Sequence, residues 1–486
     1  MDSTLKNKNV ILLTIDALRA DHLKSYGYNR NTAPNLEKFI KNATIFFNCY
    51  TNGPETPSSF SAIFTSILPF LEGGYSPLPS QKITLTQLLK EHGIHTYAIH
   101  SNPNLGRFFN YDRGFDTFLD GERYKPKKDM QMSLNFTQKL SLHLNKFLDI
   151  KQLSKKLLYK LKGFNKIKFW LRDKIPALTD LLLPFSSIAY NAPYITDKII
   201  SFLNQKKPPF FLWAHFMDIH SPYNPPSKNV LNFRKEDFSL KQREFLTSKV
   251  YIMHHNPEVT PKMIDDLKLL YDSEINYLDE YLGKLFKYIQ FHFKKNCLII
   301  ITADHGENFY EHSIFGHQGS IYDELLRVPL FIIEMGKKPN RRQIHDTIEL
   351  LDISPTILDY FDIAIPEFFQ GRTILPLLHG ESLKELDYII SECYQKNGQL
   401  KRNNEEGFKL LSIKSDLWKY IYDEEKNLEL LFNLELDPIE KNNIIKDLPE
   451  KALEFRMIRD THFQRALALD EKAKIIKAIK TDKLDL

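Results

Sequence analysis

Cysteine is scarce in this sequence. Only Cys49, Cys297 and Cys393 occur among 486 residues, and their spacing is not that of a metal-binding motif. An odd and sparse set of this kind argues against a disulfide framework and suits a reducing compartment.

Long apolar runs are also lacking. Nowhere do about 18 apolar residues follow one another, as a membrane-spanning helix requires. The apolar run at residues 10–15 ends at Asp16 and is too short for a signal peptide. It is typical of a buried strand instead, and we expect a soluble, cytoplasmic protein.

Neither sign of charge is in large excess. The formal net charge is +5, so the chain as a whole is not a polycation and we expect no nucleic-acid partner. Hydrophobic residues make up 42% of the sequence and aromatic residues 13%, which is enough for a sizeable core and excludes a disordered chain.

Residues 122–190 differ from the rest of the chain in charge. This segment holds 15 Lys or Arg and 5 Asp or Glu, a net charge of +10. Its apolar residues recur at helical spacing with lysines between them, which predicts an inserted basic helical cap. The basic face is either simply solvated, or it makes peripheral contact with an anionic membrane surface or a polyanionic substrate.

Strand-like and helix-like segments alternate along the chain before residue 380. Apolar runs rich in β-branched and aromatic residues lie at 9–15, 94–100, 209–216, 296–304 and 328–334. Helical patterns lie at 35–43 and 84–93. This alternation predicts an α/β fold with a mostly parallel sheet sandwiched by helices.

The pattern changes after residue 380. Short strand-like runs such as "FKLLSIKSD" and "WKYIYDE" predict a small antiparallel subdomain, and the charged end of the chain has a helical pattern. We therefore expect a catalytic domain at 1–380, an antiparallel β subdomain at 381–450 and a helical tail at 451–486.

Polar side chains follow three of the predicted strands. Asp16 closes the first strand, residues 215–220 carry histidines, and Asp304 and His305 follow another strand directly. Ligands bind beyond the carboxyl ends of parallel strands, so these side chains are expected to meet at one site. His215 itself is expected to play a structural or supporting role rather than a catalytic one.

A threonine at a loop–helix junction raises a separate question. In "NGPETPSSFSAIFTS", residues 52–66, a Gly-Pro loop leads through Thr56 and Pro57 into a short amphipathic helix. Thr56 is either a helix cap, as threonine often is at this place, or a nucleophile.

Divalent-metal chemistry favours the interpretation of Thr56 as a nucleophile. The carboxylate and imidazole of Asp304 and His305, with the Asp16 carboxylate, suit Mn²⁺, Mg²⁺, Ca²⁺ or Zn²⁺. A metal beside Thr56 would lower the pKa of its hydroxyl, and the start of the following helix would favour an anion. Such a pocket would bind a phosphate or sulfate ester.

Several motifs now indicate a family. "NVILLTIDALRADHLKSYGY", "HFMDIHSPYNPP", "ADHGE", "GHQGSIYDELLRVPL", "LLDISPTILDYFDI", "QGRTILPLLHGES" and "LFNLELDPIEKNN" occur in this order. They resemble successive landmarks of the sulfatase family of the alkaline-phosphatase superfamily, over about residues 8–445. The resemblance implies the α/β fold of that family and a metal-dependent ester hydrolase.

The resemblance also implies roles for individual residues. Asp16, Asp304 and His305 fall on metal-ligand positions for one divalent ion, and Thr56 falls on the position of the nucleophile, which also contacts the metal. His220 and His317 fall near positions that bind the substrate oxyanion or protonate the leaving group.

The sequence departs from the family pattern at the nucleophile. Sulfatases have a Cys- or Ser-x-Pro-x-Arg motif that matures to formylglycine, whereas this chain reads Thr-Pro-Ser-Ser-Phe from Thr56. The usual second acid after the first strand is Ala17 here, although Asp21 or Glu55 could compensate. The usual Lys and His of another landmark fall near the neutral Asn102 and Asn104.

These departures leave three functional hypotheses. The first is a hydrolase of sulfate or phosphate esters, with the phosphoester preferred. The second is a transferase of phosphoglycerol or phosphoethanolamine type acting on a glycan or lipid, because such relatives use threonine with an Asp-His metal pair. The third is a catalytically silent binding protein. The expected substrate is a sulfated or phosphorylated glycan, lipid or small molecule.

Overall fold

The computed structural model of the protein describes residues 7–121, 191–206, 208–339 and 342–482. The basic helical cap expected at 122–190 lies outside the described residues, as does the membrane or polyanion contact expected of it. All three cysteines are buried and unpaired. Among the described residues, no helix is both long enough and apolar enough to span a membrane.

Fifteen strands are found in the described part of the chain. In chain order they are β1 (Asn9–Ile15), β2 (Thr44–Tyr50), β3 (His95–Ile99), β4 (Thr117–Leu119), β5 (Phe210–Phe216), β6 (Cys297–Ala303), β7 (Asn308–Phe309), β8 (Phe315–Gly316), β9 (Arg327–Glu334), β10 (Gln343–Glu349), β11 (Ile389–Lys396), β12 (Gln399–Lys401), β13 (Phe408–Ser415), β14 (Trp418–Asp423) and β15 (Leu428–Asn433).

Eight of these strands form the central sheet, in the order β10-β2-β9-β6-β1-β5-β3-β4. All neighbours are parallel except β9, which runs antiparallel to both β2 and β6. The prediction of a mostly parallel sheet is therefore confirmed, and β9 is its antiparallel member. Every residue of β1, β5 and β6 is buried, so both faces of the sheet are covered.

The α-helices are α1 (Pro34–Phe39), α2 (Thr56–Thr65), α3 (Leu85–Glu91), α4 (Ala192–Gln205), α5 (Ser227–Val230), α6 (Leu240–Ser248), α7 (Pro261–His292), α8 (Asp323–Leu326), α9 (Ile353–Tyr360), α10 (Leu375–Leu378) and α11 (Pro449–Asp482). The longest helix of the main body is α7, which Thr260 caps by accepting a hydrogen bond from the Met263 N–H. Its inward face, including Leu267, Leu270 and Leu278, joins the core.

The strand register positions the polar residues that follow the central strands. Ile15 of β1 lies opposite Phe216 of β5 on one side and Ala303 of β6 on the other. Asp16 and Asp304 therefore leave the sheet side by side at the carboxyl ends of neighbouring parallel strands. The same register sets Thr14 opposite His215.

A second sheet contains only antiparallel strands, in the order β12-β11-β13-β14-β15. The long helix α11 follows it and packs Phe455 into the core of this sheet. Arg456 and Arg459 of α11 both pair with Glu429 of β15, at 2.5 and 2.7 Å. The order of elements agrees with the antiparallel region and helix expected here, and the exact domain boundaries stay predictions.

Candidate active site

Thr56 is the first residue of α2, and Glu55 occupies the capping position without a side-chain cap. The Thr56 side chain is therefore not a helix cap. Its hydroxyl oxygen instead lies 3.4 Å from Oδ2 of Asp16 and 3.5 Å from Nε2 of His305. The positive end of the ten-residue helix lies at this hydroxyl, which favours an anion there.

Two carboxylates meet beside Thr56. Asp16 and Asp304 are fully buried, and each has one oxygen, Oδ1 and Oδ2 respectively, without a hydrogen-bond partner among the described residues. The other Asp304 oxygen accepts hydrogen bonds from the backbone N–H groups of Ala17 and His305. Buried carboxylate oxygens of this kind need a cation or a donor, so they fit a divalent metal.

His305 is oriented as a metal ligand would be. Its Nδ1 lies 2.8 Å from the carbonyl oxygen of Gly306, which can only accept, so Nδ1 carries the proton. In the neutral ring, Nε2 is then unprotonated and has a lone pair to offer. This atom lies 3.8 Å from Oδ1 of Asp16 and 3.7 Å from Oδ2 of Asp304. A backbone carbonyl that fixes the tautomer in this way is common behind metal-binding histidines. The residues present therefore fit a divalent ion.

Three imidazoles lie close to Asp16. Burial opposes its ionisation, but His220, His215 and His305 outweigh burial and hold the pKa of Asp16 well below its usual range. The carboxylate is therefore ionised at neutral pH, as a metal ligand must be.

His317 forms the other wall of the site. Its ring centroid lies 4.5 Å from that of His305 and 5.3 Å from that of His220. Its Nδ1 is 3.2 Å from Oε1 of Glu307, whose other oxygen accepts hydrogen bonds from Tyr223 and Tyr251. Burial lowers the pKa of His317, but the Glu307 carboxylate outweighs it and raises the pKa to about 9.

The two acids considered as replacements for a second carboxylate behave differently. Asp21 is paired with Arg19 through two hydrogen bonds of 2.8 and 2.6 Å, so its carboxylate is already engaged. Glu55 directly precedes Thr56, and burial raises its pKa to about 7. Ala17 contributes only its backbone, in a left-handed conformation with φ of 56°.

Two further side chains contact the site: Asn102, to which the sequence patterns gave no role, and His215, which they placed at this sheet edge in a supporting role. Asn102 donates from Nδ2 to Oδ2 of Asp16 at 3.1 Å and to the Thr56 hydroxyl oxygen at 3.3 Å. His215 places Nε2 3.2 Å from Oδ2 of Asp16. His215 lies near the end of β5, which pairs with β1, and Asn102 follows β3, which pairs with β5. This position at the carboxyl ends of neighbouring strands is the sequence feature that could have identified them. Asn104, by contrast, is exposed.

Comparisons with known proteins agree with this architecture. The family model described as "Sulfatase" matches residues 8–363, and the model described as "N-sulphoglucosamine sulphohydrolase, C-terminal" matches residues 310–465. An arylsulfatase of Clostridium perfringens is 24% identical over 471 residues, which cover 90% of each chain.

Two solved structures show the same fold. The phosphonate monoester hydrolase of Agrobacterium radiobacter is similar with a TM-score of 0.65 and 17% identity, covering 96% of each chain. A protein solved in complex with its substrate D-glucosamine-2-N,6-O-disulfate is similar with a TM-score of 0.66 and 17% identity, covering 95% of this chain and 99% of that one. With the family model matching most of its length, the chain belongs to the sulfatase family of the alkaline-phosphatase superfamily, a family of sulfuric ester hydrolases.

Proposed function

We propose that this member of the family is a metal-dependent hydrolase of phosphate or sulfate esters with Thr56 as its nucleophile. Asp16, Asp304 and His305 would hold one divalent cation beside that hydroxyl. When bound, such a cation lowers the pKa of the hydroxyl and polarises the substrate oxygen under attack.

One observation carries the proposal. The Thr56 hydroxyl lies within 3.5 Å of both Asp16 and His305, at the start of a helix. Beside it are two carboxylate oxygens that have no hydrogen-bond partner in the described part of the chain. Asn102 bonds both Thr56 and Asp16, which holds the hydroxyl in place. A threonine that served only to begin a helix would need none of these contacts.

In the first step, the Thr56 hydroxyl releases its proton to solvent water, its oxygen attacks the central phosphorus or sulfur, and the bond from that atom to the alcohol oxygen breaks. His317, protonated beside Glu307, gives its proton to the departing alcohol. His220, on the same side of the site, is the other candidate donor. The product is an ester of Thr56.

In the second step, water attacks the central atom of that ester. The histidine that lost its proton takes one from the attacking water, and the Thr56 oxygen leaves and takes a proton back from the solvent. The first state of the enzyme is thus restored, and the helix start stabilises the same anionic charge in both displacements.

Threonine makes phosphoesters the preferred substrate. A formylglycine hydrate has two hydroxyls on one carbon, and the second lets sulfate depart by cleavage of the C–O bond. Thr56 has one hydroxyl, so its ester must be attacked at the central atom. Phosphoryl groups undergo such a second displacement in the threonine-bearing relatives.

The site and the neighbours of the fold support a choice of substrate class. A positive pocket at a helix start suits a tetrahedral anion on a sugar or another small alcohol. Among the similar structures, one is a phosphonate monoester hydrolase and another is bound to a disulfated glucosamine. We propose a phosphorylated or sulfated glycan or small molecule as the natural substrate.

A substrate panel tests the proposal. Purified protein is assayed with an aryl phosphate monoester, an aryl phosphate diester and an aryl sulfate, each with Mn²⁺, Mg²⁺, Ca²⁺ and Zn²⁺. We expect phosphoester turnover to exceed sulfate turnover, with release of the phosphorus product into water without an added alcohol. Efficient sulfate hydrolysis with negligible phosphoester turnover would contradict the preference, and turnover only with an added alcohol would indicate a transferase.

A further inference from the structure

His215 is a buried imidazole that the proposed reaction does not use. The residue is fully buried near the end of β5. Its Nε2 lies 3.2 Å from Oδ2 of Asp16, and its Nδ1 lies 3.0 Å from the hydroxyl oxygen of Thr14. One donor atom from each of Asp16, His215 and Asp304 lies within 4.8 Å of the other two.

The surroundings of Thr14 bear on which ring nitrogen of His215 carries a proton. The Thr14 hydroxyl oxygen is 3.0 Å from Nε1 of Trp213, which can only donate, and 3.3 Å from the carbonyl oxygen of Ala214, which can only accept. When the single Thr14 proton points to Ala214, the oxygen accepts from both Trp213 and Nδ1 of His215. Every group in this arrangement has a partner except Nε2.

Nε2 of His215 is then unprotonated, and its lone pair faces Oδ2 of Asp16 at 3.2 Å. Two lone pairs at that distance repel each other unless a cation lies beside both. In the opposite tautomer, the Thr14 hydroxyl donates its hydrogen bond to Nδ1, and Nε2 carries the ring proton and donates it to Asp16. A bound metal selects the first tautomer, because a ligating nitrogen must be free of protons.

We propose that His215 is a further ligand of the divalent metal, through Nε2, with Thr14 holding its tautomer. This rests on the metal site of the proposed function. The donor set then contains the carboxylates of Asp16 and Asp304 and the imidazoles of His215 and His305. Two carboxylates balance the charge of a divalent ion, and two imidazoles favour Zn²⁺ over the hard ions Ca²⁺ and Mg²⁺.

Metal binding to the full chain tests the assignment without an activity assay. Protein stripped with a chelator is titrated with Zn²⁺ and Ca²⁺ by calorimetry, for the wild type and for His215→Gln, Asp304→Asn and His100→Gln. His100 is the matched control, because it is also a fully buried imidazole next to Trp213, with ring centroids 5.1 Å apart, and it belongs to no candidate metal cluster of the described residues.

We expect His215→Gln to weaken Zn²⁺ binding by at least about tenfold and Ca²⁺ binding by less, while His100→Gln binds Zn²⁺ like the wild type. Zn²⁺ affinity within about twofold of the wild type in His215→Gln, together with loss of binding in Asp304→Asn, would overturn the His215 assignment alone. Unchanged binding in Asp304→Asn would overturn the metal site of the proposed function.

X-ray absorption of the Zn²⁺-loaded wild type gives an answer even if the variant does not fold. Two imidazole ligands around the metal are expected, and a single imidazole would overturn the assignment. In a folded His215→Gln protein, the count should fall to one.

Discussion

The hydroxyl oxygen of Thr56 lies 3.4 Å from Oδ2 of Asp16, although the two residues are 40 positions apart in the chain. Asp16 directly follows the strand β1, and Thr56 is the first residue of the helix α2, so the packing of these two elements places the side chains together. Nδ2 of Asn102 lies within 3.3 Å of both oxygens. The Thr56 hydroxyl, a carboxylate and an amide donor therefore form one hydrogen-bonded group.

Thr56→Ala should lower kcat for the best phosphoester by about 10³-fold or more, as the loss of a covalent nucleophile usually does. Thr56→Ser retains the hydroxyl and is the matched control, so it should keep most of the activity. Steady-state kinetics on both variants measure the effect. Comparable activity in Thr56→Ala and the wild type would exclude threonine as the nucleophile.

Replacing His317 by Ala should affect substrates according to their leaving group. An alkyl alcohol needs a proton to depart, whereas nitrophenolate does not, so the alkyl ester should lose far more activity, by about 10²-fold or more. If His317 also serves the second step, intact-mass measurement should show a trapped ester on Thr56. Equal losses for both leaving groups would assign His317 to substrate binding instead.

Lys82 gives a prediction on pH and stability. The side chain is fully buried, and its Nζ has no hydrogen-bond partner among the described residues. Burial lowers the pKa of Lys82 from 10.5 to about 7, against the opposing effect of Glu72 and Glu392. Between these pH values the unfolded chain binds more protons than the folded one, so the free energy of unfolding rises with pH.

Lys82→Met should remove that contribution to the rise and increase the melting temperature at pH 7, because no buried amine must then lose its proton. Thermal unfolding of both proteins from pH 6.5 to 9.5 checks this. A parallel pH dependence in the two proteins would show that Lys82 titrates normally in the folded state.

Lys419 links the two sheets through buried charge. Its Nζ lies 2.6 Å from Asp323, which begins α8 beside the central sheet, and 2.7 Å from Glu440. Lys419→Met leaves both carboxylates without their cation, which should cost about 3–5 kcal/mol of unfolding free energy. Lys262→Met breaks the largely exposed pair with Asp266 and should cost only about 0–1 kcal/mol.

The denaturant midpoints of the two lysine variants measure this difference. Equal midpoints would mean that the buried site adapts to the loss of its lysine.

The basic segment at residues 122–190 should bind anionic lipid if its +10 charge serves a surface contact. Sedimentation with anionic vesicles at low and moderate salt measures this, with neutral vesicles as the control. Binding that weakens as salt rises is expected of charge attraction. No binding at low salt would support a solvated face.

The sequence was sufficient to predict the fold class and much of the candidate site. The strands β1, β5 and β6 are runs of buried apolar residues, so their positions could be predicted from local composition. The strands β2 and β10 were not predicted, because polar residues interrupt their apolar pattern. The helix α7 was not predicted either, because several of its buried residues are polar, which weakens the apolar periodicity. The roles of Thr56 and His317 stay predictions.

By itself the sequence determined which residue types follow each strand, because a polar residue directly after a buried run must leave the sheet at its edge. Asp16 and Asp304 were found in this way. Only the tertiary structure decided which of these side chains meet, because the order and register of neighbouring strands depend on contacts between segments far apart in the chain. That register brings His215 against Asp16, and the packing of α2 turns Thr56 toward the carboxylate instead of toward its own helix.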